Sequence, residues 1–207
     1  MSHHGALRVV QCMIAGDPGV TTMVLGRKDE GGERTGRMAV TPFAQVYEAH
    51  AGPVYRFCLA QLGDTAAAED AAADAFGKAF AAWESFGDCD PEGVRRWLFS
   101  IARNTAVDQH RRRRRRALLL GRLGSSGGAP AVDVETVAGL RAELREALSA
   151  VQSLRPRDRE MVALRCAAGL SYAEIGRLTG TSEDAARTAT HRALSQVRAA
   201  LRTEDGR

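Results

Sequence analysis

The chain has 207 residues, 44% of them apolar and 5% aromatic, enough to bury the core of one ordinary domain or two small helical ones. Alanine, leucine, arginine and glutamate dominate, and all four favour helix; no long alternating Val/Ile/Thr/Tyr run is present to build a sheet, so the expected fold class is all-α. A net charge of +4 neither requires nor excludes an anionic partner, but six consecutive arginines, Arg111 to Arg116, concentrate positive charge where only an anion relieves its self-repulsion.

Residues 1–41 are rich in Gly, Arg, Asp, Glu and Thr and carry only short apolar patches, such as Leu7-Arg8-Val9-Val10 and Met23-Val24-Leu25. They read as a mostly disordered extension, with Met23 and Met38 as alternative starts within it. Residues 42–116 form a first helical domain. Phe43, Val46, Tyr47, Val54, Tyr55, Cys58 and Leu62 recur at three- and four-residue steps, which predicts two short helices with Gly52-Pro53 between them. Asp64-Thr65 offers an N-cap to a long alanine-rich helix whose apolar face holds Ala72, Phe76, Ala79, Phe80 and Trp83. Gly87-Asp88-Cys89-Asp90-Pro91 has the chemistry of a loop. The next helix lines Val94, Trp97, Leu98, Ile101, Ala102 and Thr105 along one side and runs into the arginine block; Trp97 lies on that apolar stripe and belongs to the core.

Residues 117–138 contain Gly121, Gly124 and Ser125-Ser126-Gly127-Gly128-Ala129-Pro130, the composition of a flexible linker. Residues 139–203 form a second helical domain. Leu140, Leu144, Ala147, Leu148, Val151 and Leu154 make one amphipathic helix, and Pro156 opens the next at a position that tolerates proline. Ser171 with Glu174 three residues later is a capping-box pattern, Gly180 suits a turn needing positive φ, and Thr181-Ser182 can cap a helix from about Glu183 to Ala200. Short helix, glycine turn and longer helix is the spacing of a helix-turn-helix. Its second helix exposes Ser182, Glu183, Asp184, Arg187, Thr188, His191 and Arg192, residue types that hydrogen-bond base edges and phosphates in a major groove.

Three stretches then carry a resemblance. Ala68-Glu69-Asp70-Ala71-Ala72-Ala73-Asp74-Ala75-Phe76-Gly77-Lys78-Ala79-Phe80 is similar to AEDxxQxxFxxAF. Arg96-Trp97-Leu98-Phe99-Ser100-Ile101-Ala102-Arg103-Asn104-Thr105-Ala106-Val107-Asp108, followed by arginines, is similar to WLxxIARNxxxDxxRR. Arg155 to Glu160, with Gly169-Leu170-Ser171-Tyr172-Ala173-Glu174-Ile175-Gly176, completes the set. In this order, over residues 43–203, they resemble the extracytoplasmic-function (ECF) sigma factors of bacterial RNA polymerase. The resemblance implies two partners, core RNA polymerase and promoter DNA, and an anti-sigma factor as a third. It places polymerase docking on Glu69, Asp70, Asp74, Lys78 and Ala81. It places −10 recognition on Arg103, Asn104 and Asp108 with Arg111, Arg112, Arg113, Arg114 and Arg115, and base capture at the loop from Phe86 to Gly93. These types suit the task, since arginine tracks phosphates while Asn and Asp can bond an exposed base edge.

The chain departs from the family at four places. Asp74 replaces the docking-helix glutamine, Cys166 stands where an aromatic is common, and Ala189 and Thr190 replace a basic contact and an apolar anchor of VRSRLHRA. The last two predict weaker or altered −35 recognition. The competing reading is a helix-turn-helix regulator that does not recruit polymerase, but the first half lacks the alternating strands and helices of a receiver or ligand domain. Neither a phosphate loop nor a metal-spaced His/Cys set occurs, so no catalysis is expected. Cys12, Cys58, Cys89 and Cys166 have no metal-ligand spacing, and neither a metal nor another cofactor is expected. Without a secretory signal, and without an apolar run near the roughly 20 residues a bilayer span needs, the expected setting is the cytoplasm with no membrane insertion.

Overall fold

Helix α1 (Phe43–Leu62) runs unbroken through Pro53, where the sequence predicts two short helices. Proline removes one helix hydrogen bond and crowds the carbonyl four residues back. Here Val54, Phe57 and Cys58 just beyond it are fully buried, and their packing holds the helical path. Gly63 ends the helix in the left-handed region, its N–H donating to the Leu59 carbonyl at 2.8 Å. The structure, a computed structural model, describes residues 42–86, 90–122 and 142–203; among these there are seven helices and no strand, as the all-α expectation requires.

The Asp64 carboxylate accepts the Ala67 N–H at 2.7 Å and so starts α2 (Thr65–Phe86) where predicted. Ala67, Ala68, Ala71, Ala72, Ala75, Phe76 and Ala79 are buried, and their small size lets α1 and α3 approach closely. Phe80 does not share that face: it is 66% exposed and leans on Phe43, ring centroids 5.2 Å apart. One residue past Ala79 on a helix is a rotation of about 100°, which carries Phe80 off the buried stripe.

Helix α3 (Pro91–Arg122) buries Val94, Leu98, Phe99, Ala102 and Ala106 against α1 and α2. Trp97 is partly buried and stacks on Phe86 at 4.1 Å, beside Trp83. The helix continues six residues into the stretch whose composition predicts a linker. Residues 123–138, the extension 1–41, loop residues 87–89 and Leu140 lie outside the described residues.

Helices α4 (Ala142–Gln152), α5 (Pro156–Cys166), α6 (Tyr172–Thr179) and α7 (Glu183–Thr203) make the second domain around Met161, Leu164, Leu170, Ile175 and Val197. Thr190, standing for an apolar anchor, is fully buried and satisfies its hydroxyl on the Ala186 carbonyl at 2.7 Å. The two domains touch. Helix α1 packs on α4 and α5, and the Gln152 amide donates to the Ala60 carbonyl at 2.6 Å; within the second domain Arg159 holds Gln152 by donating to its carbonyl and side-chain oxygen at 3.2 and 2.9 Å.

Candidate nucleic-acid interface

The capping box predicted at Ser171 and Glu174 is formed in both directions. The Glu174 carboxylate takes the Ser171 N–H and hydroxyl, each at 2.8 Å, and the Glu174 N–H reaches the Ser171 hydroxyl at 3.3 Å. Gly180 closes α6 at φ 68°. The Ser182 hydroxyl accepts the Ala185 N–H at 3.2 Å and so starts α7. These caps set the angle at which α7 leaves the turn, and with it the outward face of the helix-turn-helix.

Glu183, Asp184, Arg187, Thr188, His191 and Arg192 all lie on the exposed side of α7, with Ser182 at its start. Arg187 pairs with Glu183 at 2.7 Å and stands over the Tyr172 ring at 5.5 Å, with Arg165 on that ring at 5.0 Å. His191 Nε2 lies 3.4 Å from the Tyr172 hydroxyl. Arg192 is held by Asp158, a buried carboxylate of α5, at 3.2 Å. Sequence reasoning missed Tyr172, Arg165 and Asp158 as members of this group. They belong to other helices, and only the fold brings them beside α7.

On α2, Glu69, Asp70, Asp74, Lys78 and Ala81 are all exposed, and the last four follow one stripe at helical spacing. Lys78 is not wholly free: its ammonium donates to the buried Thr105 hydroxyl at 3.0 Å, tying α2 to α3.

The α3 residues divide. Asn104, Asp108, Arg111, Arg112, Arg114 and Arg115 face solvent, with Asp108 and Arg111 paired loosely at 3.9 Å. Arg113 turns back to Asp64 at 2.9 Å, and His110 Nε2 donates to the Gln61 carbonyl at 2.9 Å. Arg103 is occupied. Its guanidinium bonds Glu160 of α5 across the domain boundary, while Arg96 and Arg95 reach Glu174 of α6 at 3.4 and 3.9 Å. A cleft of about 190 Å³ lies beside the Arg103–Glu160 pair, lined also by Phe57, Gln61, His110 and Arg157.

Burial pushes the Glu174 carboxyl up, but the Ser171 backbone and hydroxyl bonds and the charges of Arg95 and Arg96 outweigh it and hold the group below its ordinary value. Burial raises the Cys58 thiol to about 12 and, against the pull of Arg165 and Arg198, the Cys166 thiol to about 11, so both are neutral near pH 7. Among the described residues no cluster of His, Cys, Asp or Glu is arranged to hold a metal, and no helix is long and apolar enough to cross a membrane.

Two family descriptions match: Sigma-70 region 2 over residues 46–116 and Sigma-70, region 4 over residues 144–197. The RNA polymerase sigma factor CarQ of Myxococcus xanthus is 34% identical over 161 residues, covering 77% of this chain and 88% of CarQ. The ECF RNA polymerase sigma factor BldN of Streptomyces coelicolor is 31% identical over 167 residues, covering 80% of this chain but 62% of BldN. The ECF RNA polymerase sigma factor SigL of Mycobacterium tuberculosis is 28% identical, covering 75% and 86% of the two chains. In solved structures the fold resembles that of the sigma factor RpoE co-crystallised with the anti-sigma factor NepR from Bartonella quintana, with a TM-score of 0.61, 24% identity and coverage of 77% and 96%.

Proposed function

The chain belongs to the extracytoplasmic-function sigma factors of RNA polymerase, and we propose that it acts as one, directing core polymerase to particular promoters without catalysing a reaction itself. The observation that carries this reading is the presence of both sigma regions, in order, on one chain that matches CarQ over 88% of that relative's length. A regulator built only on a helix-turn-helix has no use for residues 46–116.

In the proposed mechanism the exposed stripe of α2, from Glu69 and Asp70 through Asp74 and Lys78 to Ala81, meets the polymerase clamp. Asn104, Asp108 and the arginines from Arg111 to Arg115 follow the opened strand near −10, joined by Arg103. Each basic contact neutralises a phosphate and releases counterions, while the Asn and Asp side chains select an unstacked base. Extruding that base costs a few kcal/mol of stacking, which the contacts near Phe86 to Gly93 must offset. The α7 face reads the −35 duplex with Ser182, Glu183, Asp184, Arg187, Thr188, His191 and Arg192. Ala189 is half-buried and carries no donor, which supports a −35 preference unlike that of relatives with a basic residue there. Docking on polymerase tethers both reading domains to one promoter, so two weak contacts act together. The proposal places this work in the cytoplasm, without metal or cofactor, and includes an anti-sigma factor as antagonist.

Run-off transcription with purified core polymerase, this protein and a pool of promoter fragments tests the reading. Transcripts that require the protein are expected, and their start sites reveal the −10 and −35 sequences. Duplex binding with neither transcripts nor co-purification of core would replace it with the plain regulator.

A further inference from the structure

We infer that Met38-Ala39-Val40, the apolar triplet just ahead of α1, docks on an aromatic face that the described residues leave open, the one formed by Phe43, Tyr47 and Phe80. Three large apolar side chains are exposed among the described residues, Tyr47 at 50%, Phe80 at 66% and Leu118 at 63%, and the first two share this face. Half-buried Phe43 joins them. Its ring meets Phe76, Phe80 and Trp83 edge-on at 6.4, 5.2 and 5.5 Å, and Tyr47 meets Phe76 at 4.8 Å. Helical spacing explains the group: Tyr47 follows Phe43 by one turn of α1, and Phe80 follows Phe76 by one turn of α2. The two helices therefore present one aromatic strip. Single exposed apolar residues are ordinary on a protein surface, whereas a contiguous group marks a contact.

The position of the chain selects the occupant. Phe43 is the first residue of α1, so the polypeptide enters the fold on this face. Pro42 is extended, with φ −58° and ψ 137°, which takes the preceding chain off the axis of α1. Met38, Ala39 and Val40 stand three to five positions before Phe43, a reach of about 10–18 Å at full extension. The Phe80 ring is only 5.2 Å from that of Phe43. So short a tether makes docking intramolecular, at an effective concentration that a free partner does not match. The next apolar triplet, Met23-Val24-Leu25, lies 18 to 20 positions before Phe43, and effective concentration falls with length. Charge agrees with the choice. Arg34 and Arg37 are the only charged residues from 34 to 43, and exposed Glu48 and Glu84 flank the strip, one beside Tyr47 and the other a turn past Phe80. Neither acid is paired with another described residue. Exposed ion pairs are weak, so the arginines orient the segment while apolar contact holds it. Phe80 immediately precedes Ala81, which sets the docked triplet at the margin of the proposed polymerase-docking stripe.

The test follows trypsin cleavage after Arg37 in the full folded chain, read by the mass of the fragment that begins at Met38. A docked triplet cannot enter the protease cleft, so the cleavage rate reports the undocked fraction. Phe80→Ser, Val40→Ser and the double variant are compared with the wild type, and helical circular dichroism shows that each is folded. Phe80→Ser is expected to speed cleavage by about threefold to tenfold, as loss of one apolar contact should. Val40→Ser should do the same, and the double variant should be cut no faster than the faster single one, because both remove one shared contact. Leu118→Ser, which changes an equally exposed side chain off the strip, should leave the rate unchanged. A folded Phe80→Ser chain cut at the wild-type rate overturns the inference. So does protection that grows with protein concentration, which assigns the face to a second copy. Protection that arises only when core polymerase is added overturns it as well, and gives the face to polymerase.

Discussion

Gly176 sits where α6 crosses its own turn. A Cβ built there would lie 2.6 Å from the Thr181 carbonyl oxygen, a backbone atom that cannot swing aside as a side chain would. Gly176→Ala should therefore destabilise the second domain by about 1–3 kcal/mol, read as a lower thermal midpoint, with −35 binding abolished where the turn is displaced. Two histidines set the pH response. Burial, then Arg95, lowers the His50 pKa; burial lowers that of His110, opposed by its bond to the Gln61 carbonyl and reinforced by Arg159 and Arg113. Both fall below the ordinary value of 6.5, so the unfolded chain binds protons first. Their contribution to stability is complete above 6.5 and is lost as pH falls through the lowered folded values. Urea midpoints should drop between pH 7.5 and 5, and His110→Gln should lessen the drop. Glu174 acts lower on the scale. Its depressed carboxyl contributes fully above its ordinary value of 4.5 and loses that contribution as acid protonates it.

At the scale of the element, α1 shows packing overriding local preference. Pro53 lies inside a 20-residue helix, where its own backbone donor is missing and the buried residues beyond it hold the helical path. Pro53→Ala restores a donor and removes the ring, and it should stabilise the domain by about 1–3 kcal/mol in a denaturant melt if the path of the helix is unchanged. Helix α3 shows the opposite, a surface charge run with divided duties. Arg113 is tied to Asp64, whereas Arg112, Arg114 and Arg115 form no ion pair with described residues. Changing those three to glutamine should lower the slope of log affinity against log salt by about one for each phosphate no longer neutralised. Arg113→Gln should instead loosen the α2 start, and a thermal melt distinguishes the two effects. The α7 face likewise combines duties, since Arg192 is anchored on Asp158 and Arg187 on Glu183 before any DNA arrives.

For the molecule as a whole, the all-α class, the order of the helices and the helix-turn-helix followed from the residues themselves. Apolar spacing, the Ser171–Glu174 box and the Gly180 turn are local signals, readable because a helix repeats every 3.6 residues and caps act within one turn. The exposure of the candidate binding residues, Arg103 and Arg113 apart, was legible for the same reason, whereas the resemblance assigned the polymerase and −10 roles among them. What the pattern could not supply were relations between helices. The continuity of α1 through Pro53, the bond from Lys78 to Thr105, the arginines around Tyr172 and the pairing of Arg103 with Glu160 all join residues whose meeting depends on packing. Arg103 and Glu160 are 57 positions apart, far beyond any local spacing rule. The sequence by itself determined what kind of helices this protein makes and which residue types face outward. Only the tertiary structure decided which of those outward charges meet solvent and which meet each other, because burial and ion pairing are set by the approach of whole helices.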